Sequence, residues 1–223
     1  MLLRLAERLE IPLRERNGLL LAGGYAPDYP ERALDDPTMT VAREVVERVL
    51  AGHEPYPALA VDRHWSLIAA NRAVGSLTTG VDPELVRPPI NVLRLSLHPD
   101  GLAPRIVNLA QWRAHLLERL RRQVELTADA TLARLLDELR GYPIGRSATT
   151  VYAHGDAGVA VPLRLRTEQG ELSFLSTTMV FGTPVDVTLS ELAIEAFFPA
   201  DAETAAALGR VAADQAGVPS PDR

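Results

Sequence analysis

The chain has 223 residues, 47% of them hydrophobic, so it can bury one large core or a core with an appended segment. All 23 basic residues are arginine, which excludes mechanisms that need a lysine, such as a phosphate-loop lysine or a Schiff base. The absence of cysteine excludes disulfides and thiolate chemistry, and a formal charge of −6 argues against nucleic-acid binding over the whole surface.

The start of the chain is strongly charged, and no apolar run anywhere is long enough to cross a bilayer. Because a secretory signal peptide needs an uninterrupted apolar segment, none is expected here. We therefore expect a cytoplasmic protein with no membrane partner. The charged side chains near the start are Arg4, Glu7, Arg8, Glu10, Arg14, Glu15 and Arg16.

Two short helices are predicted at the start of the chain. Leu and Ala recur at helical spacing over residues 2–9, and a second helix, Leu13–Ala22, follows Pro12 and stops at Gly23. Residues 25–36 combine prolines with acidic side chains, which favours an extended connector.

The clearest helical pattern lies between Asp36 and Gly52. Asp36 can cap the helix, Pro37 suits its first turn, and Gly52 ends it. One apolar stripe follows the helical period, and we expect it to be buried. The stripe consists of Ala42, Val45, Val46, Val49 and Leu50.

The stretch 53–71 is the most informative in the chain. Two runs rich in Val, Leu and Ile flank the polar break Asp62-Arg63-His64, which predicts a tight β-hairpin. A helix over residues 72–78 should follow. This order of hairpin, Asn and helix resembles the opening of sensor domains of the PAS type.

The middle of the chain is mostly helical. Prolines interrupt residues 82–101, residues 105–126 predict one long helix, and a further helix ends at Gly141. The long helix has an apolar and a polar side, so we expect one face to cover the core. The apolar side carries Leu109, Trp112, Leu116, Leu120 and Val124, and the polar side carries Asn108, Gln111, His115, Glu118 and Arg122.

After Pro143 the pattern changes to a period of two, which is typical of strands. We predict strands over residues 159–166, 171–181 and 189–198, then a helix over 201–213 and a frayed tail. The predicted buried side of the last strand carries Leu192, Ile194, Ala196 and Phe198, opposite Glu191 and Glu195.

Strands at both ends of a domain suit an antiparallel sheet whose first hairpin pairs with the last strands. We therefore predict an α+β fold: a PAS-like antiparallel sheet with covering helices, preceded by a short helical segment. The predicted segments are residues 1–26 (N-terminal helices), 27–36 (linker), 37–200 (PAS-like domain) and 201–223 (C-terminal helix and tail).

The five histidines share no metal-ligand spacing, and no cluster of acids accompanies them. The sequence also contains no nucleophile elbow, phosphate loop or dinucleotide fingerprint. Local turn hydrogen bonds can explain His98 and His154, which each precede an aspartate by two positions. We expect neither an enzyme nor a metal or other cofactor.

Trp65 and Trp112 are the only tryptophans. Core packing is one interpretation and ligand contact the other, and a pocket between the sheet and the helices is compatible with both. Such a pocket would be mainly apolar and would bind an apolar or amphipathic small molecule. Its candidate wall residues are Leu59, Val61, Leu67, Trp112, Leu116, Leu163, Leu165, Phe174 and Ile194.

Four arginines of the long helix form a basic run beside a single glutamate, Glu118. A solvated helix face is one interpretation of the run. The other is contact with an anion, such as a ligand carboxylate or the acidic patch of a partner. The four are Arg113, Arg119, Arg121 and Arg122.

The chain resembles the actinobacterial regulators of the MmyB type, which join a helix-turn-helix domain of the XRE class to a PAS-like ligand-binding domain. The matching stretches are residues 5–25, 53–71, 91–112 and 139–143, of which 91–112 (NVLRLSLHPDGLAPRIVNLAQW) is the most specific. The resemblance implies a transcription regulator whose ligand is fatty-acid-like.

DNA binding is where the chain departs from that family pattern. In the family the recognition helix lies upstream of the segment that matches residues 2–22. Residues 1–26 therefore resemble the last helices of a truncated helix-turn-helix domain. We expect no DNA-binding residues in this chain, and DNA as a partner only if the missing helix-turn-helix is present upstream.

The primary hypothesis is a ligand-sensing domain that controls dimerisation or DNA binding. Ligand binding would shift the packing of the helix over residues 37–51 and of the N-terminal helices. The alternative is a truncated interaction module that forms heterodimers with full-length regulators and antagonises them. A third hypothesis is an intact regulator whose true start codon lies upstream of Met1.

Overall fold

The computed structural model describes residues 1–143 and 160–217, with side chains as far as residue 214. Five strands lie at its centre: β1 (Ala58–Val61), β2 (Leu67–Ala70), β3 (Leu163–Thr167), β4 (Gly170–Val180) and β5 (Ala193–Pro199). They form one antiparallel sheet in the order β2-β1-β5-β4-β3. Because β1 pairs with β5, the first hairpin joins the last strands, and the predicted α+β fold is confirmed.

Nine α-helices accompany this sheet in the described part of the chain. They are α1 (Leu2–Arg8), α2 (Leu13–Ala22), α3 (Thr40–Gly52), α4 (Arg72–Leu77), α5 (Val92–Leu97), α6 (Leu109–Thr127), α7 (Ala130–Gly141), α8 (Val187–Ser190) and α9 (Ala202–Gly217). Short 3₁₀ turns occur at Pro37–Met39, Pro83–Val86 and Ala103–Arg105. None of the described helices is long and apolar enough to cross a membrane.

Strand alternation divides the buried residues into two clusters, one on each face of the sheet. In β1, Ala58 and Ala60 point to the outer face, which α3 covers, whereas Leu59 and Val61 point to the inner face. The outer cluster consists of Val46, Leu50, Ala58, Ala60, Leu192, Ile194 and Ala196. The inner cluster is larger and includes Trp112, Leu116 and Leu120 of α6 and Leu132, Leu135, Leu136 and Leu139 of α7.

Helix α3 is covered along a narrower stripe than its sequence predicts. Val46 and Leu50 are buried, but Val45 is 38% exposed. The sheet residues that pack with α3 include Ala58 and Ala60, whose small side chains offer little apolar surface to the helix. The outer face therefore holds a modest core, and most of the apolar contacts lie on the inner face.

Helix α6 begins at Leu109, later than predicted, because the segment before it is tied to the edge strand β3. Ile106 forms an isolated β-bridge with Leu165. Asn108, predicted on the polar side of the helix, is buried, and its Oδ1 accepts a hydrogen bond from the Arg164 N–H at 3.1 Å. Contacts with the sheet thus keep this segment out of the helix and set its start.

The last strand differs from its prediction in extent and in the direction of two side chains. It begins at Ala193, because Asp186 caps the short helix α8 just before it. Glu195, expected outside, is 4% exposed, and Phe198, expected inside, is 44% exposed. β5 is the central strand and has packing on both faces, so its two alternating sides cannot be divided into buried and exposed.

The N-terminal helices and the C-terminal helix both pack on the domain. The Val187 N–H donates to the carbonyl of Pro30 in the connector at 2.8 Å, which joins the connector to the start of α8. Ala207 and Leu208 of α9 are buried in the inner cluster. The strand predicted over residues 159–166 begins only at Leu163. Residue 159 and the predicted tail over 218–223 lie outside the described residues.

Candidate functional site

A mainly apolar cavity of about 360 Å³ lies between the inner face of the sheet and the helices α4, α5 and α6. Small-molecule sites in proteins have volumes of about 300–1,000 Å³ and mostly hydrophobic walls. Every strand of the sheet contributes at least one wall residue. The apolar wall residues are Pro57, Leu59, Trp65, Leu67, Ala70, Val74, Leu77, Val86, Ile90, Val92, Leu93, Leu95, Leu102, Trp112, Leu116, Leu163 and Phe197.

Five of the predicted wall residues line this cavity: Leu59, Leu67, Trp112, Leu116 and Leu163. Val61, Leu165 and Phe174 belong to the inner cluster on the same face of the sheet. Ile194 lies in the outer cluster and has to be removed from the candidate set, because successive side chains of a strand point to opposite faces. Ligand contact by the remaining residues stays a prediction.

The structure also brings residues to the cavity that were not predicted as walls. Leu77 comes from α4, and Leu93 and Leu95 come from α5. Both helices have only six residues, which is too short for a helical period to show which side is buried. The available signal was the order of elements, since α4 follows the hairpin directly and therefore stays beside it.

Trp65 extends from the hairpin turn with a φ of +66°, a left-handed conformation that favours glycine. The turn is held by the carboxylate of Asp62, which accepts hydrogen bonds from the N–H groups of His64 and Ser66 at 2.8 Å. The indole Nε1 of Trp65 donates to Oε1 of Gln123 on α6 at 2.9 Å. Left-handed backbone costs about 1–2 kcal/mol and is common at binding sites, so the turn is a constrained part of the cavity wall.

The polar end of the cavity is an ion pair between α6 and β5. Arg119 donates from Nη1 and Nη2 to the two carboxylate oxygens of Glu195, at 3.0 and 2.6 Å. The Thr178 hydroxyl accepts from Arg119 at 2.9 Å and donates to Glu195 at 3.0 Å. The guanidinium lies 4.6 Å from the ring centre of Trp65, within the range of a cation–π contact. This part of a mainly apolar wall therefore offers charged hydrogen-bonding groups.

His115 lies one helical turn before this ion pair on α6. Burial lowers the pKa of its imidazole, and the positive charge of Arg119 lowers it further, against the smaller opposing effect of Glu195. The imidazole is therefore uncharged at neutral pH. Its ring packs 5.5 Å from the ring of Trp112, so it acts as part of the packing around the cavity.

The arginines of the basic run on α6 make most of their hydrogen bonds within the protein. Arg113 donates to two carbonyl groups at the end of α7, at 3.0 and 2.7 Å. Arg121 and Arg122 both donate to Glu118 at 2.8 Å. Of the four arginines, Arg119 is the one that lines the cavity. Of the basic run, only this residue therefore adds to the polar part of the cavity wall, together with its partner Glu195.

Within the described ranges, no group of three His, Asp or Glu side chains is placed to hold a metal ion. The Nδ1 atom of His98 accepts a hydrogen bond from the Asp100 N–H at 3.1 Å, so the predicted local turn contact is present. His154, for which the same contact was predicted, lies outside the described residues.

Five charged or titratable side chains link α2 to the hairpin turn, and we call this set the polar bridge. Arg14 donates from Nε and Nη2 to the carboxylate of Glu191, at 2.6 and 2.9 Å. Arg63 lies 3.8 Å from Glu191 and 3.6 Å from Asp129. The ring of His64 forms a hydrogen bond with Asp129 at 2.9 Å. The polar bridge thus connects the N-terminal helices with the turn that carries a cavity residue.

The carboxyl of Asp129, in the polar bridge, has a strongly shifted pKa. Burial raises the pKa of its carboxyl, but hydrogen bonds from His64 and from the N–H groups of Thr131 and Leu132 outweigh burial and lower that pKa to about 2. The N–H donors belong to the first turn of α7, which Asp129 caps. At neutral pH this carboxylate is ionised and holds the turn to the start of α7.

The fold and the cavity define the class of the protein as a ligand-binding domain of α+β architecture. The chain belongs to the family of the MmyB-like transcription regulator ligand binding domain, whose family model matches residues 42–211. The resemblance seen in the sequence is thereby confirmed. A comparison with curated proteins finds no match.

Family membership makes the chain a ligand-sensing regulatory domain and points to a protein that is not an enzyme. The match covers the sheet and the first ten residues of α9, in agreement with the burial of Ala207 and Leu208. The comparison gives no support to the alternative of a heterodimerising interaction module.

Proposed function

We propose that the cavity binds a small molecule with an apolar, fatty-acid-like body, and that its occupation controls dimerisation or DNA binding by the regulator. The observation that carries this proposal is the cavity itself, about 360 Å³ in volume and walled mainly by aliphatic and aromatic side chains. Burying each methylene group of an acyl chain there contributes about 0.8 kcal/mol, so affinity should rise with chain length until the cavity is full.

A chain of contacts from the cavity to the N-terminal helices supports the regulatory part. Gln123, which holds the indole of Trp65, donates from Nε2 to the carbonyl of Arg63 at 2.8 Å. Arg63 belongs to the polar bridge, which continues through Glu191 to Arg14 of α2. A ligand that moves the indole therefore acts on the residues that hold α2.

A second chain of contacts leads from the cavity to α3. Asn71 lines the cavity at the end of β2 and is buried. Its Nδ2 donates to the carbonyl of Leu50 in α3 at 3.1 Å and to the carbonyl of Tyr56 at 2.8 Å. A ligand can shift these elements only by as much as it binds one arrangement better than another. Both α2 and α3 are thus placed to respond to occupation.

The proposed partners follow from these elements. The first is the small apolar or fatty-acid-like ligand. The second is another regulator chain, in a homodimer or in a heterodimer with related regulators, contacted through the N-terminal helices. DNA is a partner only if a helix-turn-helix domain is present upstream of α1, in line with the sequence resemblance of residues 1–26.

Intrinsic fluorescence tests the proposed binding, because both tryptophans of the chain line the cavity. The purified full chain is titrated with straight-chain fatty acids and alcohols of increasing length. We expect a saturable change in emission and a Kd that decreases with each added methylene group until the cavity is full.

Native mass spectrometry of the same samples gives an independent readout. We expect one bound molecule per chain, including any lipid that is carried through purification. If no chain length changes the emission and no bound mass is found, the proposed function is wrong.

A further inference from the structure

Every charged side chain in the described wall of the cavity already has a partner of opposite charge. The wall contains three such residues, Arg72, Arg119 and Glu195. Arg72 is exposed at the rim and pairs with Glu54 at 2.7 Å, whereas Arg119 pairs with Glu195 at 2.6 Å inside the site. The described wall therefore offers no unpaired cation to an anionic head group.

Because of the position of Glu195, a ligand carboxylate cannot easily replace it as the partner of Arg119. Its carboxylate is almost fully buried and receives its hydrogen bonds from Arg119 and Thr178. A ligand carboxylate at this end would either lie beside Glu195, where like charges repel, or take Arg119 for itself. The second arrangement leaves a buried carboxylate without its counter-charge, which is also unfavourable.

An uncharged polar head group meets neither obstacle. A hydroxyl or amide group can donate to the Glu195 carboxylate, and a carbonyl oxygen can accept from the Arg119 guanidinium, which carries five N–H donors. The hydroxyl of Ser176 on β4 lines the same cavity and can act as donor or acceptor. The polar end thus matches a head group that has no net charge.

We propose that the ligand is a neutral amphiphile, with a single apolar chain and an uncharged hydroxyl, amide or ester head group. This inference rests on the proposed function. The apolar walls bind the chain, and the Arg119–Glu195 pair binds the head group. Glu195 is then the residue that determines specificity, because its fixed negative charge disfavours carboxylates of the same chain length.

The test compares dodecanol with dodecanoate on the full chain, by tryptophan fluorescence and below the micelle-forming concentrations. At about pH 8 the acid is ionised, and we expect dodecanol to bind at least about tenfold more tightly. When the pH is lowered to about 5, the affinity for the acid should rise as its neutral form accumulates, while that for dodecanol should stay constant.

The outcomes separate the two proposals. If dodecanoate binds as tightly as dodecanol at about pH 8, the neutral head group is excluded while the proposed function stands. If neither compound binds, at this or at any other chain length, the proposed function itself fails. The wild-type comparison needs no variant, so it does not depend on the folding of a mutant.

The variant Glu195→Gln then tests the role of the charge. It keeps the shape of the side chain but frees the charge of Arg119, so dodecanoate should bind at least about tenfold more tightly than to the wild type. The matched control Glu203→Gln removes an exposed carboxylate from α9 and should leave both affinities unchanged. If Glu195→Gln retains the wild-type preference, Glu195 does not determine specificity.

Discussion

Arg14 and Glu191 lie 177 residues apart in the chain and are joined by two hydrogen bonds of 2.6 and 2.9 Å. The same guanidinium also donates to Glu31 of the connector. A single arginine of α2 therefore contacts both the connector and Glu191, the residue that ends α8 shortly before β5. Since Arg63 contacts Glu191 from the hairpin turn, the N-terminal helices and the cavity wall share one point of attachment.

The first prediction concerns this attachment. Glu191→Gln should destabilise the protein by about 1 kcal/mol, because a partly buried, bidentate pair loses its charge. Amide hydrogen exchange in α2 should become faster, as measured by mass spectrometry. The control Glu44→Gln breaks an exposed pair with Arg48 and should change stability by less than about 0.5 kcal/mol. Wild-type exchange rates in α2 of the Glu191 variant would contradict the proposed attachment.

The second prediction concerns the left-handed backbone of Trp65. Trp65→Gly should be more stable than Trp65→Ala by about 1 kcal/mol, because glycine adopts a positive φ without a Cβ clash. Trp112 provides the control, since it lies within α6, where alanine should be favoured over glycine by about 1 kcal/mol. Urea denaturation of the four variants measures both differences in the free energy of unfolding. If the alanine variant is the more stable one at both positions, the backbone of Trp65 is not strained.

The third prediction concerns acid stability. The pKa of Asp129 is lowered to about 2 in the folded state. The ionised carboxylate therefore adds to the free energy of unfolding, and this stabilisation is fully present above the unfolded pKa of about 4. That contribution is lost as the pH falls from about 4 towards 2. Asp129→Asn keeps a good helix cap but removes the charge, and should cost about 1–2 kcal/mol at neutral pH.

Denaturation curves at several pH values check this prediction. The difference in unfolding free energy between Asp129→Asn and the wild type should shrink to near zero at about pH 2. Asp137→Asn serves as the control, because the Asp137 side chain is highly exposed and pairs with Arg140 at 3.4 Å. A difference that stays constant with pH would exclude a role for the Asp129 charge.

The fourth prediction uses the space beside Gly75 of α4. This glycine lines the cavity, and a Cβ added to it would meet no atom within 4 Å. Gly75→Leu should therefore fill part of the cavity and abolish binding of a long-chain amphiphile, while helix propensity keeps stability equal to or above the wild type. Gly209→Leu is the matched control, at a helical glycine with equally open surroundings that does not line the cavity. Tight binding by Gly75→Leu, measured by native mass spectrometry, would place the ligand elsewhere.

Local sequence signals are sufficient where neighbouring residues set the conformation of an element. The prolines and glycines around α2 mark its bounds, and Asp62 fixes the hairpin turn through hydrogen bonds to its own neighbours. The family resemblance likewise depends on local stretches, above all residues 91–112, and the family model confirms it. For such elements the amino-acid sequence needs no information on distant contacts.

The candidate site was predictable only in part, for a reason that β1 and β5 illustrate. Leu59 of β1 and the α6 residues Trp112 and Leu116 line the cavity, and their apolar sides are distinct in the sequence. Ile194 was placed on the wrong face, since its strand has buried side chains on both sides. A pattern of period two separates two faces of a strand without showing which face is the inner one.

The amino-acid sequence alone therefore establishes the α+β class, the hairpin, the apolar character of the pocket and the regulator family. The polar end of the cavity is a property of the tertiary structure. Glu195 was expected in solvent because it alternates with apolar neighbours, yet it is buried against Arg119. Its burial follows from the position of β5 between β1 and β4 and from the path of α6 across the inner face, which are contacts between distant parts of the chain.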